Sequence, residues 1–310
     1  MKRVNENRNR GKAILLTIIA VFFIGFVLFP LSMKMFDGAK FGNVALIPIE
    51  GEITSNGGGG LGSQTLSSKT TVNFIEQAEK NPQIEVIYLE INSPGGSPVA
   101  TDEIVNAIKK TKKPTVALIR EVGASGGYWV GSATDYIITN RMSITGSIGV
   151  KSSWLEFSGL MDKYGVGYEQ VNAGEFKELA SPYKQLQNDE RVLLERVVNK
   201  IHDYFISGVA ENRGLSEEQV RKLATGEIFL GVEALDLGLV DQLGDQDTVE
   251  EYIKETYGLE KVDFVTYQRE ISFFELLAGL STNFAFNIGE GIGSILLNSN
   301  SHSQSSLLMI

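Results

Sequence analysis

A chain of 310 residues with 43% hydrophobic and 21% charged residues can bury a substantial core, which excludes wholesale disorder. Its net charge of −10 is unevenly spread: residues 1–40 carry +5 and leave −15 on the rest, an acidic body that argues against nucleic acid or anionic lipid as partners. The absence of cysteine removes thiol nucleophiles, thiolate metal sites and disulfides.

The first twelve residues, MKRVNENRNRGK, hold five Lys/Arg against one Glu, and Ala13–Met33 follows without a charge. About 20 apolar residues span a bilayer as a helix. A cleaved secretory signal has a shorter apolar run and a small-x-small site; FPLSMKMFDGA offers a poor one, so the segment reads as an uncleaved anchor. The basic flank stays in the cytoplasm and sends the chain beyond Met35 across the membrane. The expected layout is a basic cytoplasmic N-terminus (1–12), a transmembrane anchor (13–33), an extracytoplasmic α/β domain (41–270), and an apolar segment with a mobile tail (271–310).

Within that domain, NVALIPIEGEI (Asn43–Ile53) reads as a strand pair turning at Glu50-Gly51. The Gly/Ser-rich Thr54–Lys69 lacks the Gly-Lys-Ser/Thr ending of a phosphate-binding loop and reads as a surface loop. Helix over Val72–Lys80, strand over Val86–Ile91, helix over Val99–Lys110 and strand over Thr115–Ile119 then alternate, the signature of βαβ units and a parallel sheet. A strand at Tyr136–Thr139, a turn through MSITGSIGV, a helix near Trp154–Tyr164 and a strand at Tyr168–Asn172 follow. A long helix covers Asp189–Arg213; its stripe Leu194, Val198, Ile201, Phe205, Val209 has helical spacing and reads as core. Ser216 opens a capping box. The tail, NSNSHSQSSLLMI, is polar and repetitive before an apolar end.

Two glycine-rich loops follow strand ends, INSPGGS (Ile91–Ser97) and EVGASGGYWVG (Glu121–Gly131). Sites in an open parallel sheet form outside the carboxyl ends of its strands, so both loops belong to one edge, each feeding a helix N-terminus. A serine plus N–H donors from two loops is the minimum for acyl transfer through an oxyanion. Either loop alone is equally well a simple turn. A nucleophilic serine needs a base. Of the two histidines, His302 lies in the tail and His202 beside the apolar stripe of the long helix, where it reads as structural or solvent-facing. GASGG nevertheless matches the Gly-x-Ser-x-Gly nucleophile elbow, with His202 downstream as that arrangement requires. A lysine serves instead only when burial brings its pKa from about 10.4 toward about 7–8. Composition does not say which lysine, and Lys177, between Glu175 and Glu178, looks solvated on local grounds.

INSPGG, GASGGYW, TGSIGV, GEFKELASPY and ALDLGLVDQLG, in that order behind one apolar segment, resemble the bacterial signal peptide peptidase A family over about Val44–Asp241. These are membrane-anchored serine proteases of the Clp-protease/crotonase-like superfamily. The resemblance implies repeated ββα units with a parallel sheet and helices behind one N-terminal transmembrane helix. It implies Ser125 as nucleophile, Lys177 as general base, Ser147 as the residue orienting that lysine, and the backbone N–H groups of Gly96 and Gly126 as oxyanion donors. Phe176 stands where the family commonly has tyrosine. The resemblance further implies a homo-oligomeric ring, in which Ser125 and Lys177 come either from one subunit or from neighbours, remnant signal peptides and other apolar unfolded peptides as substrates, and no cofactor or metal. Two other readings stay open: a crotonase-like acyl-CoA enzyme, disfavoured by an extracytoplasmic location, and a non-catalytic membrane-tethered scaffold. SSLLMI at the chain end could also occupy the active site as a product-like inhibitor.

Overall fold

Apolar strands alternating with amphipathic helices build a largely parallel α/β sheet. The computed structural model describes residues 42–57 and 65–269, together with positions 17 and 21. The expected anchor at 13–33 therefore lies, apart from those two positions, outside the described residues, as do the tail and its expected inhibitory end. Among the described residues no helix is long and apolar enough to cross a membrane. The chain divides after Tyr267, and of the second unit only residues 268 and 269 are described.

The sheet runs β10 (Phe264–Thr266), β1 (Val44–Glu50), β4 (Val86–Ser93), β5 (Thr115–Ala124), β6 (Tyr136–Thr139), β9 (Gln242–Leu243), with every neighbouring pair parallel. The central strands are covered on both faces, and their alternate residues divide between two cores. Ile47, Ile49, Leu89, Ile91, Ala117 and Ile119 pack toward α1 (Ser68–Lys80), α2 (Pro98–Lys110), α3 (Gly126–Ser132) and α5 (Asn188–Arg213). Val44, Val86, Tyr88, Val116 and Leu118 pack on the other face against Val249 and Ile253 of α8 (Gln246–Tyr257). Arg213, at the end of α5, closes the layer by a bidentate pair with Asp241 at 2.9 and 2.6 Å.

Several expectations change in detail. Gly51, with φ 78°, does turn the chain, but β1 and β2 (Glu52–Thr54) are not paired with each other. β1 lies between β4 and β10, and β2 pairs in parallel with β3 (Thr65–Ser67), inside the supposed surface loop; residues 58–64 lie outside the described residues. The turn after β6 contains β7 (Ile144–Gly146), parallel to the upper half of β5 and antiparallel to β8 (Ile228–Leu230). The helix expected from Trp154 begins at Ser158 as α4 (Ser158–Tyr164), and no strand forms at Tyr168–Asn172. That whole segment stands away from the sheet: Leu155, Tyr164 and Val171 are exposed at 73%, 70% and 102%. A strand needs a partner strand for its backbone groups, and Tyr168–Asn172 has none among the described residues.

Candidate active site

β5 is two strands in one. Its lower half, Val116–Ile119, pairs with β6, and its upper half, Val122–Ala124, pairs with β7 and carries the chain above the sheet edge to Ser125. There the backbone reverses into α3: Ser125 has φ 52° and ψ −123°, a conformation that non-glycine residues rarely adopt and that costs about 1–3 kcal/mol. The surroundings hold it: the Ser125 N–H donates to the Gly146 carbonyl at 2.8 Å, and its own carbonyl accepts from Trp129 N–H at 3.0 Å as α3 begins. A serine presented this way lifts its hydroxyl off the strand-to-helix turn.

The second loop is locked against the first. Ser93, fully buried, donates its hydroxyl to the Gly51 carbonyl at 2.6 Å and accepts the Gly95 N–H at 3.1 Å. Gly95 takes φ 97°, and a Cβ there would stand 2.6 Å from Gly126 N and 2.9 Å from Ser125 Cβ. Gly96 forms a parallel bridge with Ile53 in which the bonds are made by Gly95 C=O and Ser97 N–H, at 2.9 and 2.8 Å. In a parallel ladder the bridged residue's own N–H points the other way. For Gly96 that is the Gly126 side: its nitrogen lies 3.3 Å from where a Gly126 Cβ would be. The Gly126 N–H, in the first turn of α3, is one of those a helix cannot satisfy internally. The backbone nitrogens of Gly96 and Gly126 thus lie close together, and both residues line the same cavity as Ser125. Gly95→Ala is expected to lower hydrolysis by about 10²-fold or more, because it must push the loops apart by several tenths of an ångström. Unchanged rates in that variant would show that the loops are not held in this register.

Ser147 sits one residue past the Ala124–Gly146 pair, opposite Ser125 in register. It too has a positive φ, 50°, and its N–H donates to the Glu227 carbonyl at 2.7 Å. Ser125, Ser147, Gly96 and Gly126 all line one cavity of about 710 Å³, large enough for several side chains of a bound chain. Its far wall is apolar: Trp129, stacked on Phe205 with ring centroids 4.8 Å apart, together with Val198, Ile201 and Ala224. His202 and Lys151 add polar groups.

The structure therefore brings four of the five expected site residues together and leaves the fifth apart. Lys177 is exposed, in a turn closed by its own N–H to the Gly174 carbonyl at 3.2 Å, and is not among the residues lining the cavity. It belongs to the extended segment described above. The next residue, Glu178, turns inward and lies 3.9 Å from Lys184, which pairs at 2.7 Å with Glu190 in the first turn of α5. The cavity also corrects the reading of the α5 stripe as core: of its five residues only Phe205 and Val209 are buried in the core, while Val198 and Ile201 are half-buried and, with Phe205, line the site. Trp129 and Lys151 were not singled out in the sequence; Trp129 is findable one helical turn after Ser125, whereas no pattern marks Lys151.

Residues 107–260 match the model of peptidase family S49. A protein of Methanocaldococcus jannaschii that carries the name of a protease is 30% identical over 267 residues, covering 86% of this chain and 85% of the relative. A protein of Enterococcus faecium that carries the name signal peptide peptidase SppA is 30% identical, covering 77% of this chain and 70% of its own length. A Synechocystis protein also named as a protease is 32% identical over 73% of this chain and 79% of the relative. The family match includes the strand-to-helix turn that carries Ser125, and together with the protease names of these relatives it sets the acyl-CoA and scaffold readings aside. The chain belongs to peptidase family S49 and is a serine protease.

Proposed function

We propose that this serine protease is a membrane-anchored endopeptidase that degrades remnant signal peptides and other apolar, unfolded peptides. Ser125 attacks the scissile carbonyl, Lys177 takes its proton, Ser147 orients the lysine, and the N–H groups of Gly96 and Gly126 hold the oxyanion. The observation that carries the reading is the strained backbone of Ser125 in a cavity of mixed polar and apolar lining, with the backbone nitrogens of Gly96 and Gly126 beside it. Strain of this kind persists where the hydroxyl must be presented to a substrate. The proposed fold in full is the Clp-protease/crotonase-like repeat of ββα units, behind one N-terminal transmembrane helix at 13–33 that leaves the N-terminus inside and the catalytic body outside the cell membrane.

Lys177 reaches Ser125 from a neighbouring copy. Two features support this: the lysine lies outside the cavity of its own chain, and the segment that bears it exposes Leu155, Phe157, Leu160, Tyr164, Val166 and Val171, an apolar surface of the kind that marks an interface. A head-to-tail contact of this type closes into a ring. No cofactor or metal enters the mechanism. A second reading, in which His202 is the base, is favoured by one observation: the histidine lines the same cavity as Ser125.

The substrate reading is tested by presenting one apolar signal-peptide sequence to the full chain in two forms, as a free peptide and as part of a folded, stable domain. Cleavage of the free peptide at least about 10²-fold faster is expected, because a chain must enter the cavity extended. Equal rates would contradict it.

A further inference from the structure

One residue lining the cavity beside Ser125, His202, has a side-chain nitrogen that is buried and has no hydrogen-bond partner. His202 lies four residues after Val198 and three before Phe205 on α5, so the three share a helix face. All three line the cavity, and His202 Nε2 is buried without a hydrogen bond. A second nitrogen of the cavity wall, Trp129 Nε1, is in the same condition, but it is packed against Gly208, 2.8 Å from where a Cβ there would stand. The histidine is the one of this pair that a ligand can satisfy. His202 lines the cavity while its Nε2 is shielded, and the soft χ2 torsion of histidine allows that nitrogen to be turned toward an occupant.

We propose that His202 is a specificity-determining residue: it selects, for the side chain bound next to Ser125, a large apolar body ending in a neutral hydrogen-bonding group, tyrosine above phenylalanine. The inference rests on Ser125 being the nucleophile. Trp129, one helical turn along α3 from Ser125, and Phe205 stacked upon it supply an aromatic wall for the body of such a side chain. A phenol hydroxyl both donates and accepts, so it pairs with either neutral tautomer of the imidazole. A phenylalanine leaves the ring nitrogen buried and unpaired, which sites built around a polar group penalise strongly. Lys151 in the same cavity disfavours a cationic side chain.

The test uses the full chain and two quenched peptides that differ only in tyrosine or phenylalanine at the residue contributing the scissile carbonyl. The parent is expected to show a kcat/KM ratio of about 10 in favour of tyrosine. His202→Leu should bring the ratio to about 1 or below while phenylalanine peptide is still cleaved, and His202→Gln, which keeps a hydrogen-bonding group, should retain part of the preference. A ratio near 1 in the parent, or an unchanged ratio in His202→Leu, overturns the inference. So does loss of both peptides as substrates in folded His202→Leu and His202→Gln, which would make the histidine part of the chemistry. An active-serine probe separates this from the underlying reading: labelled Ser125 with a flat ratio overturns the selectivity alone, and a hydrolysing parent whose Ser125 takes no label overturns both.

Discussion

Ser125→Ala is expected to abolish peptide hydrolysis, by about 10⁴-fold or more, while leaving the fold and thermal stability essentially unchanged. Ser125→Gly should be as inactive but at least as stable as the parent, by up to about 1 kcal/mol, because glycine adopts φ 52° without strain and repays part of that gain in unfolded-chain entropy. The contrast is informative because a loop serine with no catalytic duty has no reason to be held in this conformation. Thermal melts and steady-state rates on the two variants decide it. Residual hydrolysis within tenfold of the parent in Ser125→Ala, or a Ser125→Gly protein destabilised by several kcal/mol, would contradict the assignment of strain to function.

Lys177→Ala should also eliminate hydrolysis, by about 10²–10⁴-fold, the usual contribution of a general base. His202→Ala should keep turnover of the same order on a phenylalanine peptide, with altered selectivity. Both comparisons are made on the full chain with its fold verified by circular dichroism. Activity surviving in Lys177→Ala and vanishing in His202→Ala would exchange the two residues' roles and favour the nucleophile elbow with a histidine base.

The parallel sheet was legible because short apolar strands and amphipathic helices alternate in the sequence, and the loops at Gly95–Gly96 and Ser125–Gly126 followed from where such a sheet places its strand ends. What the sequence could not separate was core from apolar cavity. Val198, Ile201 and Phe205 satisfy the helical periodicity of a buried stripe whichever they face, and only α3, laid against α5 through Trp129, turns that stripe into a wall of the site. Local pairing was misread for β1 and β2, because a turn at Gly51 says nothing about which strand lies alongside. Tyr168–Asn172 has strand composition but no strand beside it among the described residues, so propensity alone did not make it a strand. Lys177 was reached only through resemblance to a family. Its exposed position gives no local sign of a base, which the proposed completion of the site by another copy would explain.

The proposed contribution of Ser125 and Lys177 by different subunits is open to a direct measurement. Ser125→Ala and Lys177→Ala chains, each inactive alone, are produced together so that they assemble in mixed rings, and hydrolysis of a signal peptide is compared with the parent. Random assortment around a head-to-tail ring places an intact Ser125 beside a neighbour's intact Lys177 at about a quarter of the sites, so recovery of about a quarter of parental activity is expected. A mixture that assembles and stays as inactive as its components would contradict a serine and lysine contributed by different subunits.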